Sequence, residues 1–214
     1  MDPLDALTDA SSAIVADTLD RLGCRYQTLD PAIRPLWPRA RVVGRAVPVV
    51  VVADPSMPEL PYDGEMSALE SLSPGDVPVF AVEDGVRAAS WGELFSCGAI
   101  GRGARGAIVD GFIRDAQQIE ELGFPTFARG YSPLDTLGRA VVSSIGETAS
   151  IGGVVVGPGD LVVGDVDGIV VIPSGLTDEV IAAVGSKHKL ERAARDDLMA
   201  GLGIRAVWDK YEVF

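Results

Sequence analysis

Ala107-Ile108-Val109-Asp110-Gly111 runs straight into Phe112-Ile113-Arg114-Asp115. Ala107–Asp110 is a short apolar run of the kind that forms a buried strand. Gly111 ends it and permits a backbone turn that other residues resist. Arg114 and Asp115 then open a helix over Asp115–Leu122, which stops at Gly123 with Pro125 close behind. Phe124–Ala128 reads as the next strand. Strand, helix and strand in so short a span predict an α/β arrangement.

The pattern extends in both directions. Upstream, Gly92–Gly103 is a helix rich in small residues, and Ala88–Trp91 is a return strand after the Asp84-Gly85 turn. Pro74-Gly75-Asp76 launches a strand over Val77–Val82. Gly64–Leu72 is a short helix, and the prolines of Asp54–Asp63 make that segment a loop. Arg41–Ala53 is β-rich, and Pro48 within it predicts an edge or a bulge. Leu4–Leu22 carries apolar residues along one helical face, with Thr8 or Asp9 as cap and Gly23 as stop. Downstream, Ala140–Ile145, Leu161–Val163 and Ile169–Ile172 are strands. The turn Asp165-Val166-Asp167-Gly168 joins the last two. Thr177–Leu202 closes the chain as a long helix capped by Thr177-Asp178-Glu179, with Gly185 a soft spot and a solvated or subunit-facing charged side. No long linker separates two cores, so residues 1–214 read as one α/β domain with helices at its N- and C-terminal ends.

Composition narrows the function. Lys and Arg total 18 against 31 Asp and Glu, a net charge of −13, which disfavours a nucleic-acid backbone as partner. No apolar stretch reaches the ~18 residues of a membrane span, and Met1-Asp2-Pro3-Leu4-Asp5 has no export-signal character. Cys24 and Cys97 make no disulfide framework; a reducing cytoplasm is the expected setting, and Cys97 among small residues reads as structural. The single histidine, His188, lies in a charged helical run, so neither a His-rich zinc site nor a Ser-His-Asp triad is expected. A metal would need oxygen ligands, which points to Mg²⁺ or Mn²⁺.

Two short stretches carry chemistry. Arg114-Asp115 places a guanidinium and a carboxylate at a strand-to-helix corner, a common ligand position. The same pair also reads as an ion pair closing a helix start. Gly92-Glu93-Leu94-Phe95 begins a helix whose free N–H groups suit a carboxylate oxygen. Glu93 is either part of that site or a favourable first-turn charge. Trp91 is a pocket wall or a core residue, and Arg129 faces substrate or a subunit contact. Asp160, Asp165 and Asp167 read as turn residues before a cation site. Gly101–Gly106 lacks the strand and spacing of a dinucleotide motif.

Glu93, twenty intervening residues and Arg114-Asp115 resemble the D-x20-R-D signature of the class II pyruvate aldolases in the RraA-like family, among them the 4-hydroxy-4-methyl-2-oxoglutarate and 4-carboxy-4-hydroxy-2-oxoadipate aldolases. The resemblance spans roughly residues 10–200 and includes Val15–Leu19, Pro74–Val77, Phe127–Gly130 and the run from Gly153 to Pro173. It implies a layered β-β-α swivelling-type domain, assembled as a homotrimer or dimer of trimers with the site between subunits. It implies a Mg²⁺ or Mn²⁺ lyase that cleaves a C–C bond of a small α-keto acid to pyruvate, by retro-aldol cleavage or oxaloacetate decarboxylation. Asp115 would bind the metal directly, and Glu93 through water. Arg114 would stabilise enolate charge, and the N–H groups of Leu94 and Phe95, after Gly92, would hold the pyruvyl carboxylate. Glu191 is the candidate for an intersubunit carboxylate. The only lysines, Lys187, Lys189 and Lys210, lie near the C-terminus, and this chemistry needs no Schiff base. Two positions depart from the pattern: Glu93 replaces Asp, and Gln118 stands where aldolases carry an acid. The family's regulator branch, whose members bind and inhibit an endoribonuclease, lacks this acid too.

Overall fold

Strands covered on both faces are apolar almost throughout, and Val49–Val52, Val77–Ala81 and Ile169–Ile172 have that character. They belong to one nine-stranded sheet in a computed structural model that describes residues 3–213. Met1, Asp2 and Phe214, part of the expected 1–214 domain, lie outside the described residues. Helices α1 (Pro3–Leu7) and α2 (Ser12–Arg21) lead into β1 (Arg34–Pro35), β2 (Val42–Ala53), α3 (Asp63–Glu70), β3 (Asp76–Val82) and β4 (Ala89–Trp91). Next come α4 (Glu93–Gly101), β5 (Ala107–Ile113), α5 (Ala116–Leu122), β6 (Thr126–Tyr131) and β7 (Ala140–Ile145). The hairpin β8 (Ala149–Ile151) and β9 (Val154–Val156) precedes β10 (Leu161–Gly164) and β11 (Ile169–Ile172), and α6 (Thr177–Met199) and α7 (Ile204–Tyr211) end the chain.

The sheet order is β1-β6-β5-β3-β2-β10-β11, with β7 beside β2 and β4 beside β5. β2, β3, β5 and β6 are parallel neighbours, as are β4 and β5; the remaining pairs are antiparallel. The sheet curls on itself. Phe127 of β6 shares an inner core with Val162 and Val171 of β10 and β11, and the hairpin contributes Ile151, Val154 and Val156 to it. Arg34 donates to the Val166 and Asp167 carbonyls at 3.3 and 3.2 Å, joining the two ends of the strand order. The outer face carries two helical layers. Ala68, Ala99 and Ile119 of α3–α5 pack on Val49, Phe80 and Val109. Leu7, Val15, Leu19, Val180 and Val184 of α1, α2 and α6 pack on Leu161, Val163 and Ile172. Each fully buried Val, Leu or Ile among these contributes about 2 kcal/mol, so the packing outweighs any exposed ion pair.

Several expectations change. The Leu4–Leu22 helix is two helices, because Ser11 starts a new one: its Oγ accepts the Ile14 N–H at 3.2 Å, the role expected of Thr8 or Asp9. Pro48 is neither on an edge strand nor in a bulge. Its missing N–H falls where the neighbour of β2 changes from β10, at Val42–Arg45, to β7, at Val49–Ala53, and its carbonyl accepts from Gly146. Ala88–Trp91 does not return beside β3; β4 pairs parallel with β5. Gly111 makes no turn: β5 continues to Ile113, and Gly111 is required because a Cβ there would lie 2.8 Å from Val82. Thr177 is the first helical residue of α6, whose cap is Leu176 without a side-chain bond. Lys187 on the expected solvated side is buried, paired with Asp17 and, at 3.6 Å, with Glu191.

Candidate active site

β4 and β5 run parallel with Trp91 opposite Ile113, so the chain leaves both strands at the same edge. Gly92-Glu93 and Arg114-Asp115 therefore emerge side by side, and the Arg114 N–H donates to the Trp91 carbonyl at 3.0 Å. The interval between the two motifs is α4 and its return through β5. This is the βαβ logic that gathers ligand groups beyond the C-terminal ends of parallel strands.

Asp115 is the N-cap of α5 and sits in the left-handed region, φ 57° and ψ 37°. A non-glycine residue held there costs on the order of 1 kcal/mol, and such strain concentrates at functional sites. Its side chain turns back to α4, where Oδ2 accepts the Glu93 N–H at 3.3 Å and lies 3.8 Å from Arg114 Nε. Gly92 makes this approach possible, since a Cβ there would lie 2.8 Å from Asp115 Oδ2. Ser96 N–H donates to the Gly92 carbonyl, and Gly92 provides no side-chain cap for α4. The Leu94 and Phe95 amides are thus the open donors of the first turn. A cavity of about 290 Å³ lies against these groups, walled by Trp91, Leu94 and Phe95. A more open hollow of about 500 Å³ lies on the other side of Arg114 and Asp115, beside Tyr131 and Pro133.

Sequence reasoning missed Tyr62, Asp135 and Thr136, which complete the smaller cavity. Asp135 Oδ2 accepts Arg114 Nη1 at 3.2 Å and the Tyr62 hydroxyl at 3.0 Å, and its Oδ1 accepts the Leu137 N–H at 3.1 Å. Burial pushes the Asp135 carboxyl up, but the Leu137 amide, the Tyr62 hydroxyl and the Arg114 charge outweigh it and hold it below the usual carboxylate range. The same bond to Asp135 pushes the Tyr62 phenol up. Tyr62 is also left-handed, φ 63°, as the N-cap of α3. Thr136 is buried and donates to the buried Glu65 at 3.2 Å. No motif marks these residues: Tyr62 ends a proline-rich loop, and Asp135 lies in the connection between β6 and β7.

The remaining candidates lie elsewhere. Glu191 on α6 faces Lys187, and within one chain it is not among the residues lining the cleft. Gln118 is exposed on α5. Cys97 is exposed, not packed in the core, and lies 3.6 Å from a Glu93 carboxylate oxygen; desolvation and that oxygen push its thiol up. Trp91 is both core and wall: it is buried, stacks with Phe124 and donates to Ser96 at 2.8 Å. Arg129 is taken up by Asp110 and, at 2.9 Å, by Asp30. Asp160 and Asp165 bind backbone amides in turns and at a helix start. Lys210 pairs with Asp197 at 2.8 Å. Among the described residues no group of three His, Cys, Asp or Glu is arranged to hold a metal ion alone. No described helix is long and apolar enough to cross a membrane.

The fold recurs in known proteins. A protein of Halalkalibacterium halodurans named "Putative 4-hydroxy-4-methyl-2-oxoglutarate aldolase" is 34% identical over 200 residues, covering 92% of this chain and 89% of its own. An uncharacterized protein from Pseudomonas syringae pv. tomato superposes with a TM-score of 0.86 at 26% identity, over 98% of this chain and 93% of that one. Streptomyces coelicolor RraAS2, described as an unusual member of the RNase ES inhibitor RraA protein family, does so at 0.79 and 28%, over 90% and 95%. The RraA-like family description, Aldolase/RraA, matches residues 12–171, which includes every strand and helix that frames the cleft, and the chain belongs to that family.

Proposed function

We propose that the protein is a divalent-metal-dependent lyase that cleaves a C–C bond of a small α-keto acid to release pyruvate. The convergence of Arg114, Asp115 and the first turn of α4, with its open Leu94 and Phe95 amides, on one cleft carries this reading. The 34% identical relative named "Putative 4-hydroxy-4-methyl-2-oxoglutarate aldolase" supports it.

The donor set fits Mg²⁺ or Mn²⁺. Such ions are commonly held by one or two carboxylates with water completing the shell. Asp115 touches the Glu93 backbone N–H, which brings the two acidic residues to one corner, and Asp115 Oδ1 takes no hydrogen bond among the described residues. Asp115 would hold the ion, with Glu93 beside it; when bound, the ion supplies Lewis-acid stabilisation of negative charge on the keto oxygen.

The chain's own groups account for the rest. The Leu94 and Phe95 amides hold the pyruvyl carboxylate at the start of α4, where the helix end favours an anion. The Arg114 guanidinium faces the keto oxygen. As the C3–C4 bond breaks, its electron pair moves toward C2 and the keto oxygen gains charge that Arg114 stabilises. The C4 hydroxyl loses its proton to become the carbonyl of the leaving fragment, and C3 gains one to complete pyruvate. Trp91 and Phe95 form one apolar wall. Decarboxylation of oxaloacetate builds the same charge, with CO₂ as the departing fragment. Leu94 and Tyr131, beside the two hollows, are 76% and 63% exposed in the single chain, which supports a site at a subunit boundary, in the homotrimer or dimer of trimers that the family resemblance implies. Pyruvate formation from 4-hydroxy-4-methyl-2-oxoglutarate and oxaloacetate, with and without Mg²⁺ or Mn²⁺, tests the reading; no formation above background from either rejects it.

Gln118 in place of a carboxylate, with the likeness to RraAS2, favours a second reading as a regulator that binds an endoribonuclease. Failure to retain an RNase E-type enzyme in a pull-down counts against it.

A further inference from the structure

Arg114 stabilises charge only if its guanidinium is already in place when that charge appears. A long arginine side chain has many rotamers, and holding one of them costs conformational entropy. The Arg114 backbone is fixed by its bond to the Trp91 carbonyl. Its side chain is not held by packing, since 39% of it is exposed. Among the described residues, Asp135 alone makes a hydrogen bond to that side chain, accepting Nη1 at 3.2 Å. Asp115 lies 3.8 Å from Nε, an ion pair without a hydrogen bond. An ion on Asp115 would occupy that carboxylate and leave Asp135 as the anchor of the guanidinium.

Asp135 is itself braced on both oxygens. Oδ2 accepts the Tyr62 hydroxyl at 3.0 Å, and Oδ1 accepts the Leu137 N–H two residues on at 3.1 Å, which closes a local turn. Arg139 stiffens that turn, donating to the Asp135 and Leu137 carbonyls at 3.1 and 3.3 Å. Tyr62 comes from the start of α3, where its backbone is held left-handed, and its side chain lines the same cavity as Arg114. The bonds thus run from two rigid corners through Asp135 to the guanidinium. All of them lie within one chain, so they do not depend on what a neighbouring subunit adds to the cleft. Supports of this kind fix a reacting group to within a fraction of an ångström, which bears on the rate of the chemical step more than on binding.

We infer that Asp135, braced by Tyr62, is the positioning residue that holds the Arg114 guanidinium toward the keto oxygen, and that it acts on turnover through Arg114 alone. This rests on the lyase reading, in which Arg114 meets the charge that builds on that oxygen.

The test measures kcat and KM for pyruvate release by the full-length protein at saturating Mg²⁺, with thermal unfolding beside them. The substrate is whichever of 4-hydroxy-4-methyl-2-oxoglutarate and oxaloacetate the unaltered protein cleaves. Asp135→Ala is expected to lower kcat about tenfold or more, with KM moved by less than about threefold. Asp135→Asn keeps an acceptor for Arg114 and is expected to lose less; Tyr62→Phe keeps Asp135 but removes its brace and is expected to lower kcat about threefold. These two milder variants carry the test if Asp135→Ala does not fold. The decisive arm combines Asp135→Ala with Arg114→Ala, read at raised protein concentration. With Arg114 gone, removing Asp135 is expected to change kcat by less than about twofold. The same fall in both backgrounds overturns the inference, because Asp135 then acts without Arg114. An unchanged kcat in Asp135→Ala, or a loss confined to KM or to melting temperature, also overturns it while leaving the lyase intact. Pyruvate from neither substrate with the unaltered protein overturns the lyase reading and this inference with it.

Discussion

Asp115 joins two demands in one residue: it starts α5 in a left-handed conformation and reaches back to the first turn of α4. An exposed Arg–Asp pair at 3.8 Å, with side chains 39% and 44% accessible, contributes at most about 1 kcal/mol to stability. Asp115→Asn and Arg114→Ala are therefore expected to lower kcat/KM by two orders of magnitude or more while leaving the melting temperature within about 3 °C. A parallel loss of melting temperature would instead mark the pair as structural. Gly92→Ala tests the same corner from the other side. Its Cβ would push Asp115 Oδ2 from its place, so activity is expected to fall about tenfold or more with a small change in stability, read by steady-state kinetics beside thermal unfolding. At this scale the sequence placed Arg114 and Asp115 together at one strand-to-helix corner because they are adjacent in it; Glu93 meets that corner through its backbone N–H and is not among the residues lining the cavity. Tyr62 and Asp135 were not legible, because they reach the cleft from loops distant in sequence.

Among the elements, α2 is tied to the sheet by a single acid. Asp165, in the turn between β10 and β11, accepts the Ser12 N–H at 2.8 Å and the Ser12 hydroxyl at 2.6 Å. Burial pushes its carboxyl up, but the Ser12 hydroxyl and amide, the Asp167 amide and the Arg41 charge outweigh it and hold it below the usual range. A depressed folded value adds stability that is complete above the unfolded value of ~3.9 and is lost as pH falls through the folded one. Asp165→Ala is expected to cost about 2 kcal/mol at neutral pH, with the difference shrinking below pH 4, as read by urea unfolding across pH. The helix expected over Leu4–Leu22 hid its break because Leu4, Leu7, Ile14 and Val15 all reach one core, so the apolar period runs through the gap. β4 was found, but its partner was not: a turn sequence such as Asp84-Gly85 does not say which strand lies alongside. β8 and β9 are three residues each, too short for periodicity to register, and α7 lies beyond Leu202, where the long helix was expected to close the chain.

Across the whole molecule, the curled sheet fixes the cleft by holding β4 and β5 parallel, with helical layers outside and the β8–β9 hairpin inside. The α/β class and the terminal helices followed from alternating apolar runs, whereas the curl did not, since it depends on contacts between strands far apart in sequence, such as Gly164 against Phe127. The exposed Leu94 and Tyr131 are where a neighbouring subunit would cover the site, and the proposed assembly of three or six chains is tested by light scattering; a monomeric mass would contradict an intersubunit site. The central claim is that this cleft makes pyruvate with help from a divalent ion. The direct measurement is pyruvate release from oxaloacetate and from pyruvate aldols by chelated protein, before and after Mg²⁺ or Mn²⁺ is restored. Pyruvate that appears only with the ion, and not in Asp115→Asn, is the expected result; a folded oligomer that yields none under any of these conditions would contradict it.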